Sequence, residues 1–240
     1  MVSEYLPDSE PFELVDVGAG AGLLGTFLAR DRPLVSYRFV EPIASLRAVL
    51  TSRYGSAADA GGDRIYRAAR FVTLLDVLEH QEDDRRFMAE LLDKMPSGAS
   101  LLLTVPAGQE LWSQWDVSLG HHRRYSRDSL VECFDGLPVH IREVSYLFPE
   151  LVPLALLRAR RLRRVRQPLT VPPGPGVVSP EPDPEYPPDD AAAFPELPGP
   201  VDDVLTALGR GSAALRRRWR TGTSLFLAAT ISRETPDGPS

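Results

Sequence analysis

Three glycines alternate with alanines in Val15-Asp16-Val17-Gly18-Ala19-Gly20-Ala21-Gly22, between an apolar run and a helical pattern. Glycine adopts left-handed backbone angles freely and puts no side chain between backbone and ligand, so this turn permits close approach. A helix that starts there presents amide N–H groups with no partner inside the helix, and these favour a polar or anionic group. Glu41 closes the next apolar run, 23 residues after Gly18. A carboxylate in that place can accept hydrogen bonds from both hydroxyls of a ribose. The pair therefore reads as a nucleoside site.

Two details narrow the nucleoside. A dinucleotide fingerprint GxGxxG would need a glycine at position 23, which is Leu23, so the GxGxG spacing weighs against a nicotinamide oxidoreductase. Asp16, an acid inside the strand just before the turn, suits a ligand with a cationic amino group better than a pyrophosphate. Further motifs follow. Asp76-Val77-Leu78-Glu79-His80 comes after an apolar run, and Met95-Pro96-Ser97-Gly98-Ala99 precedes another. Beyond that run stand Leu111-Trp112-Ser113, Asp116, Gly120-His121, Arg123-Arg124-Tyr125 and Leu130. With these residues the sequence resembles the class I S-adenosylmethionine-dependent methyltransferases over residues 12–148 and, more loosely, 221–231. It is most similar to a bacterial subgroup carrying LWSxxDxxxGHxRRYxxxxL.

The resemblance implies that Asp16, Gly18, Ala19, Gly20 and Gly22 hold the methionine half of S-adenosylmethionine and that Glu41 holds its ribose. It places Asp76 and Val77 beside the adenine or the methionine. It also implies a helix ahead of the first strand that covers the cofactor, whereas 11 residues precede Phe12; a cover supplied by 151–220 is the alternative. The family's third strand and its adenine-facing acid are not legible between Ser56 and Arg70, where Asp59 and Asp63 are the available acids.

Methyl transfer is an in-line displacement at a sulfonium carbon, and its leaving group departs neutral. The protein's tasks are alignment and removal of a proton from a hydroxyl or amine acceptor. The catalytic candidates are His80, His121 and Asp116, since a histidine near neutral pKa suits proton transfer. The substrate-binding candidates are Trp112, Arg123, Arg124 and Tyr125, with the guanidinium groups suited to clamping a carboxylate or phosphate. The competing reading of 111–125 is a loop whose Asp and Arg pair with each other to hold it shut. No metal site is expected: His80, His121, His122 and Asp116 offer ligands, but two adjacent arginines would repel a divalent cation.

The elements that must carry these groups alternate strand and helix. Phe12–Val17, 37–40, Phe71–Leu75, 101–105, 139–148 and Ser224–Ile231 read as strands. Residues 22–30, 43–54, 83–95 and 126–134, with Ser126 as N-cap, read as helices. That alternation predicts an α/β fold with a doubly wound, mostly parallel sheet and an antiparallel last strand. The core is expected over 1–148, an insertion over 149–223, the final strand over 224–231 and a tail over 232–240. Within the insertion, 151–157 is apolar and 158–166 holds six arginines, so peripheral membrane contact through 151–166 is one expectation. Residues 168–200 hold 12 of the 23 prolines and read as an extended linker, and 202–219 regains a helical pattern.

The chain has 240 residues and a formal net charge of −6, which argues against a general nucleic-acid binder. One cysteine, Cys133, excludes an internal disulfide. The N-terminal residues show neither a basic start nor an apolar signal core, so a cytoplasmic protein is expected. The reading that follows is a methyltransferase acting on a small-molecule or lipid- or sugar-linked acceptor, with O-methylation expected. A binding or regulatory module that keeps the cofactor fold without transfer is the alternative.

Overall fold

The computed structural model describes residues 2–59, 62–164 and 216–233. Six strands form one sheet: β1 (Phe12–Val17), β2 (Val35–Val40), β3 (Phe71–Leu75), β4 (Ser100–Pro106), β5 (Val139–Leu147) and β6 (Ser224–Ile231). Their order is β2-β1-β3-β4-β6-β5. β1 pairs in parallel with β2 and β3, and β3 with β4, while β6 runs antiparallel between β4 and β5. The expected doubly wound sheet with an antiparallel last strand is what forms.

Position in the sheet explains the strand sequences. The central strands β1, β3, β4 and β6 are almost wholly buried and almost continuously apolar, because both faces are covered. The edge strands β2 and β5 carry exposed or half-buried residues between apolar ones. Period-two alternation then sorts the core. Leu14, Phe71, Leu102 and Phe226 pack on one face with Leu28. Val15, Val72, Leu74, Leu101, Leu103 and Leu227 pack on the other with Met88, Leu91 and Leu92.

The helices are α1 (Leu23–Asp31), α2 (Ala44–Tyr54), α3 (Asp84–Lys94), α4 (Gln114–Ser118), α5 (Arg127–Glu132) and α6 (Val152–Arg164). Asp83 caps α3 by accepting from the Arg86 amide, and Ser126 caps α5 by accepting from the Ser129 amide. The short α4, held by a Ser113–Asp116 capping box, was not legible as a helix. Between Ser56 and Arg70 the described residues form a single bridge, Phe39 to Asp59, and a 3-10 turn, Asp63–Ala68. Asp63 pairs with Lys94 at the far end of α3, away from the carboxyl ends of the strands, so it does not serve as the adenine-facing acid.

No covering helix precedes β1 among the described residues. Val2 and Leu6 instead pack into the core on the Leu14 face, and the Tyr5 hydroxyl donates to Glu143 at 2.6 Å. Of the expected insertion, 149–164 and 216–223 are described: a 3-10 turn, Pro149–Leu151, then α6, and a second 3-10 turn, Arg216–Arg218. The linker at 168–200, the rest of the helix expected over 202–219 and most of the 232–240 tail lie outside the described residues. On α6, Leu154 and Leu157 are exposed. No helix among the described residues is long and apolar enough to cross a membrane.

From β1 the chain turns one way to β2, and β3 lies on the other side of β1. Open sheets bind ligands in the crevice at such a reversal, outside the carboxyl ends of the strands. The glycine turn follows β1 and the 76–80 segment follows β3, so the topology sets both motifs on this crevice.

Candidate active site at the sheet reversal

Gly18, Gly20 and Gly22 all take left-handed backbone angles, with φ of +69°, +54° and +75°. The reasons differ along the turn. A Cβ on Gly18 would lie 2.5 Å from a γ-methyl of Val77, so the turn after β1 and the segment after β3 touch there. A Cβ on Gly20 would meet nothing within 4 Å, so that side of the turn faces open space. Gly22 begins α1 with no side-chain cap, which leaves the helix's first amides unclaimed by any side chain.

Glu41 is buried, and its carboxylate accepts from the Gly20 amide at 2.7 Å and the Ile43 amide at 2.9 Å. It clasps the glycine turn to the start of α2. A carboxylate offers about four acceptor sites, so two remain for ribose hydroxyls. Asp16, also buried, accepts from the Tyr37 hydroxyl at 2.9 Å and the Thr73 hydroxyl at 2.7 Å. Burial raises its pKa to about 6 against the pull of those two hydrogen bonds, and Glu41 adds a further push.

On the β3 side, Asp76 is held at φ +56° and takes a hydrogen bond from Thr104. Such an angle is unusual for an L-residue, though Asp tolerates it better than most. A 3-10 turn, Leu78–His80, follows. Glu79 has no exposed surface, and neither of its oxygens has a hydrogen-bond partner among the described residues. Burial first, then the neighbouring charge of Asp76, pushes its pKa up to about 9. His80 is exposed, with its ring edge-on to that of His121 at 4.8 Å between centroids. Partial desolvation and the flanking His121 push His80 below the ordinary histidine value, which favours its neutral form.

The loop after β4 closes over this turn. Asp116 is buried. It accepts from the Ser113 amide at 2.8 Å and from Arg124 Nε at 2.6 Å, and it lies 3.2 Å from His121 Nδ1. Burial opposes its ionisation, but the bonds from His121 and Arg124 prevail and hold its pKa at about 2. The His122 amide donates to the Glu79 carbonyl at 2.8 Å. Arg123 donates to Asp84 at 3.0 Å and to the Glu82 carbonyl at 2.5 Å. Tyr125 is buried, with its hydroxyl on Asp84 at 2.8 Å.

A family model described as "Methyltransferase domain" matches residues 2–137, more than half of the chain. The chain belongs to the methyltransferase-domain family. A search of curated proteins finds no match by sequence. Among solved structures, phosphoethanolamine N-methyltransferase 2 from Haemonchus contortus, in complex with S-adenosyl-L-methionine, superposes with a TM-score of 0.55 at 14% identity. It covers 97% of this chain, which spans about half (51%) of that longer protein. A SAM-dependent methyltransferase from Archaeoglobus fulgidus gives 0.53 at 13% identity, over 95% of this chain and 90% of that one. A Haloferax volcanii protein solved with the Trm112 methyltransferase activator gives 0.55 at 14% identity, over 97% and 87%. At these identities the likeness is one of fold.

In this member of the family the crevice gathers Asp16, Gly18, Ala19, Gly20, Gly22, Glu41, Asp76, Val77, His80, Asp116 and His121. Arg123, Arg124 and Tyr125 stand differently from the expected acceptor clamp. Both guanidinium groups are engaged by internal acids, and the phenol is sealed beneath them. Arg124 pairs with Asp116 inside the loop, as in the competing reading, whereas Arg123 ties the loop to Asp84 of α3. Trp112 is half-buried and Trp115 lies under the Arg158 guanidinium of α6, 5.0 Å from the ring centroid. Tyr125→Phe is therefore expected to cost about 1–2 kcal/mol of stability, because it leaves Asp84 one donor short, and to leave cofactor affinity unchanged. Thermal melting with and without cofactor checks this. Unaltered melting with lost turnover would return Tyr125 to the acceptor side.

Several residues that shape the site were not singled out from the sequence. Thr73 is the direct register partner of Asp16 across β1 and β3, and a lone threonine in FVTLL was its only signal. Tyr37 is one aromatic in an edge strand, Glu79 one acid inside Asp76–His80, and Asp84 an acid in the first turn of α3, so none carries a signal of its own in the sequence.

Proposed function

We propose that this methyltransferase takes its methyl group from S-adenosylmethionine and passes it to an oxygen of a small-molecule, lipid-linked or sugar-linked acceptor. The observation that carries the reading is the open face of the turn at Gly20, bounded by the buried carboxylates of Asp16 and Glu41. Among the described residues no cation pairs with Asp16, and an amino group brought by a ligand would supply one. The glycine turn, from Gly18 to Gly22, would hold the methionine half, Glu41 the ribose, and Asp76 with Val77 the adjoining wall. When bound, the cofactor supplies an activated methyl on a sulfonium that leaves as a neutral thioether.

The residues' own work lies on the acceptor side. His80, exposed at the end of the β3 segment with its neutral form favoured, is placed to receive an acceptor proton or to orient the group that loses it. Trp112 would wall the acceptor. Support for the cofactor also comes from the H. contortus enzyme, solved with S-adenosyl-L-methionine and with S-adenosylhomocysteine.

The test is calorimetric titration with S-adenosylmethionine and, separately, NADH. Saturable binding of the first alone supports the reading, and binding of NADH alone overturns it. Tritiated methyl transfer over a panel of phenols, hydroxylated lipids and glycans then reads the acceptor; cofactor binding with no transfer to any of them would favour the binding module. For His80→Ala the expected result is a fall in transfer of about 100-fold or more, with cofactor affinity nearly unchanged. Equal loss of both would remove His80 from the acceptor side.

A further inference from the structure

We infer that Glu79, His80 and His121 form a binding site for one divalent transition-metal ion. Their ligand atoms, one carboxylate oxygen and two imidazole nitrogens, all lie within 4.8 Å of one another. Two imidazoles with one carboxylate is a donor set that suits Zn²⁺, Fe²⁺, Co²⁺ or Mn²⁺ better than Mg²⁺ or Ca²⁺.

Three observations point to an ion instead of a simple polar contact. Glu79 is fully buried with both oxygens unpartnered among the described residues, an arrangement that is costly for a carboxylate unless a positive charge arrives. The gap between Glu79 Oε1 and His121 Nε2 is 3.9 Å. That is too long for a hydrogen bond, which ends near roughly 3.2 Å. It suits two ligands on one ion, since atoms roughly 2.1 Å from a shared metal stand roughly 3.0–4.2 Å apart.

Third, the outer partners are in place. His121 directs Nδ1 to Asp116, which leaves Nε2 for the Glu79 side, and the His80 ring bonds to the Gly120 carbonyl. Carboxylate and carbonyl partners of this kind fix ring orientation around bound metals. The charge objection raised by the sequence also falls away. Arg123 is paired with Asp84 and Arg124 with Asp116, so neither presents an unbalanced charge to the cluster.

The cluster runs from the interior at Glu79 to the surface at His80, beside the glycine turn through Val77. An acceptor reaching the crevice from the His80 side would meet the ion, and His80, as its ligand, would then orient the acceptor oxygen instead of taking its proton; the fitting class is one with a hydroxyl or phenolic oxygen. That clause rests on the methyl-transfer reading; the site itself does not.

The experiment uses the full chain without a histidine tag, stripped with a chelator and titrated with Co²⁺ at neutral pH. The visible absorption of the bound ion and calorimetry are the readouts. One equivalent is expected to bind, with affinity falling by about 100-fold in Glu79→Gln and in His80→Ala. Glu79→Gln keeps the side chain's volume and replaces a buried carboxyl group with a neutral amide, and His80 is exposed, so both variants should fold; circular dichroism confirms it. Binding by the wild type no tighter than by the two variants would overturn the site. Titration of the stripped protein with S-adenosylmethionine stands apart: cofactor binding without Co²⁺ binding sinks the metal site alone, and the converse sinks the methyl-transfer reading alone.

Discussion

Gly20→Val is expected to lower S-adenosylmethionine affinity by about 100-fold or more while the cofactor-free protein still folds. The new side chain meets no protein atom, because a Cβ there has nothing within 4 Å. Its folding cost is the left-handed backbone angle of +54°, about 1–2 kcal/mol for an L-residue. Its binding cost is larger, because the branched side chain fills the space assigned to the methionine half. Gly18→Ala should behave in the opposite sense. Its Cβ would press on Val77 at 2.5 Å, so overpacking of about 1–3 kcal/mol should appear as a lower melting temperature even without ligand. Calorimetry and thermal melting on both variants read the contrast. Undiminished cofactor binding by Gly20→Val would mean that the open face is not the ligand's face.

Asp16→Asn should stabilise the cofactor-free protein near neutral pH and weaken cofactor binding. The folded-state pKa of Asp16, about 6, lies above its ordinary value of 3.8. The unfolded chain therefore loses its proton first. The stabilisation is fully present below about pH 4, is lost as pH rises through about 6, and stays lost above it. The difference corresponds to up to about 3 kcal/mol. Asparagine carries no charge to desolvate and can still bond to Thr73 and Tyr37, so this slope of stability with pH should vanish in the variant. The same substitution removes the anion that would meet the cofactor's amino group, so affinity is expected to fall by about 10-fold or more, as charge-assisted hydrogen bonds are the stronger kind. Denaturant melts from pH 4 to 8, with and without S-adenosylmethionine, measure both effects. A variant less stable than wild type at pH 8 would show that Asp16 is structural first.

The sequence by itself determined the order of the strands and of the longer helices, the doubly wound class and the nucleoside-type turn. Those features are written locally, in near-continuous apolar strands, helical spacing and glycines that relax the backbone. Ser126 as an N-cap and Ser224–Ile231 as the final strand are of the same kind. Tertiary structure alone decided which charged groups face each other. Arg123, Arg124 and Asp116 are neighbours in one loop whether they clamp a ligand or hold each other. The choice depends on Asp84 and Glu79, which lie on elements some 40 residues away in sequence. Glu79 shows the same thing most clearly. Within its motif it is one acid among apolar residues, and only the packing of β3 against the loop after β4 strips its water and sets two imidazoles beside it. Backbone preference is a property of nearby residues, whereas the desolvation and field at a carboxylate are summed over everything the fold brings around it.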